Sequence, residues 1–186
     1  MKKILMILGI SLILCSCATA PISLQEAAPT PAIVFQADII NVCFSPNGNC
    51  TNAIIEQIGN AKSEILIQAY SFTSAPIAKA LVNAHKRGIK VQAILDKSQR
   101  LERYSSATFL LNNGIPIYID SKHTIAHNKI MIIDKETVIT GSFNFTKAAE
   151  EKNAENLLII TSKELAKVYI GNWKNHFEHS EKYLRE

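Results

Sequence analysis

The chain has 186 residues, of which 47% are apolar and 19% charged. These proportions fit one packed domain plus a short extra segment and exclude a disordered chain. The formal net charge is +4, and setting aside Lys2 and Lys3 with a segment expected to be removed leaves +2. A charge that small neither announces a nucleic-acid binder nor opposes one.

Lys2 and Lys3 precede an apolar stretch from Ile4 to Leu14, and small residues follow. This is the pattern of an export signal, placed at residues 1–20. A membrane span needs roughly 20 apolar residues, which favours a cleaved signal over an anchor helix. Two cleavage readings stand. Ala18-Thr19-Ala20 has the small-x-small pattern, although Pro21 fits poorly after the cut. Leu14-Cys15-Ser16-Cys17 resembles a bacterial lipoprotein box, in which Cys17 is lipidated and becomes the new N-terminus. Either reading exports the protein, periplasmic or secreted, and the second attaches it to a membrane. Export also makes a disulfide between the two remaining cysteines, Cys43 and Cys50, a reasonable expectation, with two unpaired thiols as the alternative. No metal site is expected from them, since two cysteines without paired histidines do not complete a tetrahedral set.

Residues 21–32 form a Pro- and Ala-rich tether, and the domain is placed at 33–186. Apolar patterning predicts a strand over 38–44, a helix over 51–61 and a strand over 64–70. A helix over 75–86 follows, with Ser74 at its N-cap and Arg87-Gly88 at its end. A strand over 89–95, a helix over 98–113 ended by Gly114, and strands over 115–119, 127–134 and 137–140 come next. After a polar turn, a strand over 156–161 leads into a final helix. Ser162 caps it, and Leu165, Val168, Tyr169, Trp173 and Phe177 form one stripe. No internal repeat is present. Alternating strands and helices predict an α/β sandwich, with a central mixed sheet and helices on both faces.

The chemistry concentrates in His127-Asn128-Lys129 and in Gly141-Ser142-Phe143-Asn144. Side chains at i and i+2 share one face of a strand, which puts His127 beside Lys129 and Ser142 beside Asn144. A cation, two neutral donors and an imidazole converging on one anion is a set that holds phosphate. Asp134 has the opposite parity from His127, so a regular strand points it away, toward a structural or orienting role.

His-x-Lys-x4-Asp, then six residues, then Gly-Ser-x-Asn resembles the signature of the phospholipase D superfamily, as His127, Lys129, Asp134, Gly141, Ser142 and Asn144. Phe44-Ser45-Pro46, Ala69-Tyr70-Ser71-Phe72-Thr73, Lys86-Arg87-Gly88 and Asn153-Ala154-Glu155-Asn156 extend the likeness to the small bacterial endonucleases of that superfamily. The resemblance implies a phospholipase D-like α-β-α sandwich and hydrolysis through a phosphohistidine. The catalytic set carried over is His127, Lys129, Asp134 and Glu155, with Lys129, Ser142 and Asn144 on the phosphate and Glu155 orienting the imidazole. It implies no cofactor, because lysine and neutral donors replace metal ions. Two histidines are needed and one motif is present, so it also implies a symmetric homodimer with the active site at the interface.

The shared chemistry leaves the substrate open. A nonspecific endonuclease on DNA, with RNA left open as a further substrate, is the first reading, a phospholipase D acting on phosphatidylcholine-type membrane lipid the alternative, and a non-catalytic envelope binding protein the third. A lipase calls for an exposed apolar rim and a nuclease for a basic channel. His123 lies outside the motif, and His176 and His179 are read as solvated on the terminal helix. Trp173 and Phe177 are read as core. Lys97, Arg100 and Arg103 form the basic cluster that would track a phosphate backbone if it flanks the groove.

Overall fold

A computed structural model describes residues 36–184. The segments read as an export signal and a tether, with Cys17, lie outside the described residues. Eight strands form one mixed sheet in the order β1-β7-β6-β5-β2-β3-β4-β8. They are β1 (Asp38–Ser45), β2 (Glu64–Ala69), β3 (Lys90–Asp96), β4 (Ile117–Asp120), β5 (Lys129–Ile133), β6 (Thr137–Gly141), β7 (Glu155–Thr161) and β8 (Glu181–Lys182). The helices are α1 (Cys50–Asn60), α2 (Ala75–Lys86), α3 (Ala107–Asn112), α4 (Lys147–Glu151) and α5 (Lys163–His179). Strands β2, β3 and β4 run parallel, while β5 lies antiparallel to β2.

The period-2 alternation of the central strands fills two cores. Ile65 and Ile67 of β2 join Ile54, Ile58, Ile77 and Leu81 of α1 and α2 on one face. Leu66 joins Ile130, Ile132 and Val138 under Ala166 and Trp173 of α5 on the other. Burial on both sides explains why these strands read as apolar runs. Trp173 stacks on Phe177 and donates its indole N–H to the Ile67 carbonyl at 2.9 Å, so the aromatic pair belongs to the core.

Several elements depart from expectation. The segment 98–113 is a 3₁₀ turn (Lys97–Arg100), a loop and then α3. The Asp96 carboxylate accepts from Ser98 N–H and the Glu102 carboxylate from Tyr104 N–H, and these local bonds replace helical ones. Ser74 occupies the N-cap of α2, but its side chain makes no capping bond. Ser162 does cap α5, accepting from Leu165 N–H at 3.3 Å. The polar turn holds α4, whose Glu150 carboxylate takes Asn49 N–H and Thr51 N–H and so caps the start of α1. Arg87 reaches the Ile58 and Gly59 carbonyls at the end of α1, which commits that guanidinium to the fold.

Cys43 and Cys50 are free thiols in this structure, correcting the expected disulfide. Both are buried. Burial, then a hydrogen bond with Cys43, pushes the Cys50 thiol up to about 12. Among the described residues, no helix is long and apolar enough to cross a membrane.

Candidate active site

The parallel strands β2, β3 and β4 end at one edge of the sheet, where β5 begins. Lys129 pairs with Ala69 there, and Asp96 pairs with Asp120. Residues 121–128 cross this edge from β4 back to β5. Asp96 holds the crossing through Ala126 N–H at 2.7 Å, and Asn128 takes Tyr70 N–H at 2.8 Å.

His127 is therefore the last exposed residue before β5, with half-buried Asn128 between them. Its ring lies 4.6 Å from that of Tyr70, centroid to centroid. Lys129 is 6% exposed, and its ammonium sits 5.0 Å from the Tyr70 ring centroid. It donates to the His127 carbonyl at 2.9 Å. Burial pulls the Lys129 pKa below that of an ordinary lysine, and the charge of Glu155 opposes the shift. The Glu155 carboxylate accepts from Asn153 at 3.1 Å. Among the described residues no hydrogen bond joins Glu155 to His127, and its influence here falls on Lys129.

Gly141 ends β6 beside Lys129, and both line a cavity of about 500 Å³ with His127, Thr140, Tyr169 and Asn172. Its φ is 140°, and a Cβ there would stand 2.3 Å from the Asn156 carbonyl oxygen. That carbonyl takes Ser142 N–H and Phe143 N–H, which bends the chain as β6 ends. The Ser142 hydroxyl accepts from Asn156 N–H at 3.0 Å, leaving its own proton to donate. Phe143 and Phe145 are fully buried, so the alternate residues Ser142 and Asn144 face the other way. The Asn144 Oδ1 is buried without a hydrogen-bond partner.

Asp134 belongs to the motif but stands at the far end of β5, about 17 Å along the strand from Lys129 at ~3.3 Å per residue. Strand parity assigns Asp134 a structural or orienting role, and its carboxylate is turned to the α1–β2 junction rather than to Lys129. At φ 55° it turns back on the α1–β2 junction. Its carboxylate takes the N–H groups of Lys62, Ser63 and Glu64 and the Ser63 hydroxyl. Burial works against ionisation there, but these hydrogen bonds outweigh it and hold the carboxyl below its ordinary pKa.

His176 and His179, read as solvated, are partly buried against Asp120 instead. His123, His176 and His179 gather on the fully buried Asp120 carboxylate. The spacing Asp-x-x-His with a second His-x-x-His pair on one helix was the only signal in the sequence, and it joins two segments distant in the chain.

The family model for the cardiolipin synthase, PLD-like domain, matches residues 54–178. The chain belongs to the phospholipase D superfamily. It is 47% identical over 136 residues to a phospholipase D of Rickettsia conorii, covering 73% of this chain and 68% of that one. To the mitochondrial cardiolipin hydrolase of Mus musculus it is 30% identical over 137 residues, 73% of this chain and 62% of the other. The crystal structure of Nuc, a phospholipase D family member from Salmonella typhimurium, superposes with a TM-score of 0.76 at 39% identity, covering 81% of this chain and 100% of that one. The α/β sandwich is thus the superfamily's, and the protein is a phosphodiesterase of that superfamily.

Proposed function

We propose that the protein hydrolyses phosphodiester bonds in nucleic acid, DNA and also RNA, through a phosphohistidine. His127 attacks phosphorus, forming a P–N bond as the P–O bond to the leaving group breaks. His127 of a second copy gives its proton to the leaving oxygen, then takes one from the water that cleaves the P–N bond. The observation that carries the reading is the buried Lys129 ammonium against the His127 backbone. A cation kept out of bulk water acts strongly on charge developing at the non-bridging oxygens. Ser142, with its proton free, and Asn144 complete the phosphate set. No step calls on a metal ion.

Nucleic acid is favoured by the loop after β3. Lys97 and Arg103 are exposed there, and the Arg103 guanidinium lies over the Tyr104 ring at 5.5 Å. Asp96 joins this loop to the segment carrying His127. Arg100 is spent on Glu181 at 2.5 Å, so it adds little to a backbone track.

Phospholipid is the second reading. Ile125 is 55% exposed two residues from His127, and Leu101 is 93% exposed on the neighbouring loop. These side chains begin the apolar rim a lipase needs, and the relatives named as a phospholipase and a cardiolipin hydrolase agree with it.

A symmetric dimer is part of the proposal. Ile39, Val42 and Phe44 are exposed on the edge strand β1, and the register slip between Ile39 and Asn41 brings the three to one face as an apolar stripe suited to a second copy. Export, with lipidation at Cys17 as one route, is the proposed localisation and rests on the N-terminal sequence.

The deciding experiment incubates the purified protein in EDTA with plasmid DNA and, in parallel, with phosphatidylcholine vesicles, beside His127→Ala. Nicked DNA without choline release supports the nuclease. Choline release without nicking replaces it with the phospholipase, and equal activity of His127→Ala removes the mechanism.

A further inference from the structure

Asp120 closes β4 with its carboxylate fully buried. An isolated buried carboxylate is costly unless it is paired or ligated. Three imidazoles surround this one. His123 Nδ1 stands 2.9 Å from Oδ2, His176 Nδ1 2.7 Å from Oδ2 and His179 Nε2 3.3 Å from Oδ1. His176 and His179 come from one face of α5 at i, i+3 spacing. His123 comes from the crossing segment that ends at His127. The three rings pack at centroid separations of 4.8, 5.2 and 5.4 Å.

We propose that Asp120, His123, His176 and His179 form a structural site for one divalent transition-metal ion of the zinc class. One ligand atom from each residue lies within 4.8 Å of all the others. Tetrahedral coordination at ~2.0–2.1 Å sets donors about 3.4 Å apart, a contraction that side-chain rotation supplies. The buried His179 Nε2 faces the Asp120 Oδ1 at 3.3 Å without hydrogen-bond alignment, so it aims into the cluster as a ligand atom would. Three imidazoles and one carboxylate are a borderline-soft set that suits zinc, cobalt or nickel. Calcium and magnesium want six or more oxygens and find too few here.

With neutral imidazoles the cluster keeps one buried negative charge, and a divalent ion reverses that imbalance. The ion would clamp the last turn of α5 to the end of β4 and to the segment delivering His127. It would sit outside the cavity that holds His127 and Lys129. Its role is thus to stabilise and order, while phosphoryl chemistry proceeds without it.

The test reads binding directly, independently of substrate and turnover. The protein is stripped with EDTA, dialysed and titrated with cobalt(II), whose tetrahedral complexes absorb intensely in the visible, and then with zinc(II) by calorimetry. The expected result is one equivalent per chain, displacement of cobalt by zinc, a higher Tm with zinc, and no response to magnesium. His179→Ala weakens zinc affinity by about 100-fold or more, while His127→Ala binds as the parent does. His123→Gln, on an exposed segment, is the second variant should a helix substitution fail to fold. Absence of saturable binding, or unchanged affinity in both His179→Ala and His123→Gln, overturns the site and leaves a hydrogen-bonded His–Asp cluster. Loss of binding in a folded His127→Ala overturns its separation from the cavity.

Discussion

Lys129 donates its ammonium to the backbone carbonyl of His127 at 2.9 Å, so the cation is fixed by the same segment that presents the imidazole. The two functional groups are held by one short stretch of backbone whose entry is pinned to Asp96 and Tyr70. Displacing that segment displaces both.

His127→Ala is accordingly expected to abolish turnover, with a loss of about 10⁴-fold or more if it is the nucleophile. Lys129→Ala should lower kcat by about 10²–10³-fold, the range for removing one group that stabilises transition-state charge. Circular dichroism should show an intact fold for His127→Ala, which is exposed. A Lys129→Ala protein with normal kcat and raised KM would make the lysine a ground-state anchor instead.

The pH profile carries a separate consequence. Burial lowers the Lys129 pKa and Glu155 opposes this. The protonated lysine is the active form, so activity falls as pH rises through that depressed value. Glu155→Gln removes the opposing charge and lowers the pKa further. The alkaline limb should therefore move to lower pH, and a shift to higher pH would show that Glu155 does not act on Lys129.

Much of this was legible in the sequence. The alternation in β2 and β5, the Ser162 cap and the spacing of His127, Lys129 and Gly141 are local facts, written in short windows. The break between Lys97 and Ser106 was not, because apolar spacing suggests a helix while Asp96 and Glu102 satisfy the backbone locally. The Asp120 cluster was illegible for another reason. His123 and His176 are brought together by β4 and α5, and no periodicity marks a contact across the sheet edge. Gly141 reads as part of a motif, yet its necessity lies in the Asn156 carbonyl 2.3 Å from where a Cβ would stand, fifteen positions on.

Asp134 should behave as a fold residue. Asp134→Ala removes the acceptor for three backbone N–H groups and is expected to cost about 1–3 kcal/mol in urea unfolding. Turnover of the folded fraction should stay within about twofold of the parent. The folded pKa is depressed, so this stability is present above the ordinary carboxylate pKa near ~3.9 and is lost as pH falls toward the folded value. The variant should lack that acid-dependent component. A large fall in kcat with stability unchanged would return Asp134 to the chemistry.

The proposed dimer rests on the stripe along β1. Phe44 is 67% exposed, so Phe44→Glu should fold normally as a single chain. Sedimentation is expected to show a monomer, and activity should fall with it because each site lacks its second histidine. A monomeric Phe44→Glu protein with full specific activity would show that one chain suffices.

Two glycines give the sharpest internal comparison. Gly59, in the last turn of α1, has nothing within 4 Å of an added Cβ, and its replacement by alanine improves helix propensity. Gly59→Ala should raise stability by up to about 1 kcal/mol and leave activity untouched. Gly141→Ala meets a backbone carbonyl that cannot swing aside, at a φ of 140° that L-residues rarely adopt. It should destabilise the fold by more than about 1 kcal/mol. Its kcat should fall as well, since the Asn156 carbonyl that must move is the one holding Ser142 and Phe143. Thermal melts and kinetics on the pair separate the two effects. If Gly141→Ala loses stability but keeps kcat, the Ser142 turn tolerates displacement, and the phosphate is held by Lys129 without it.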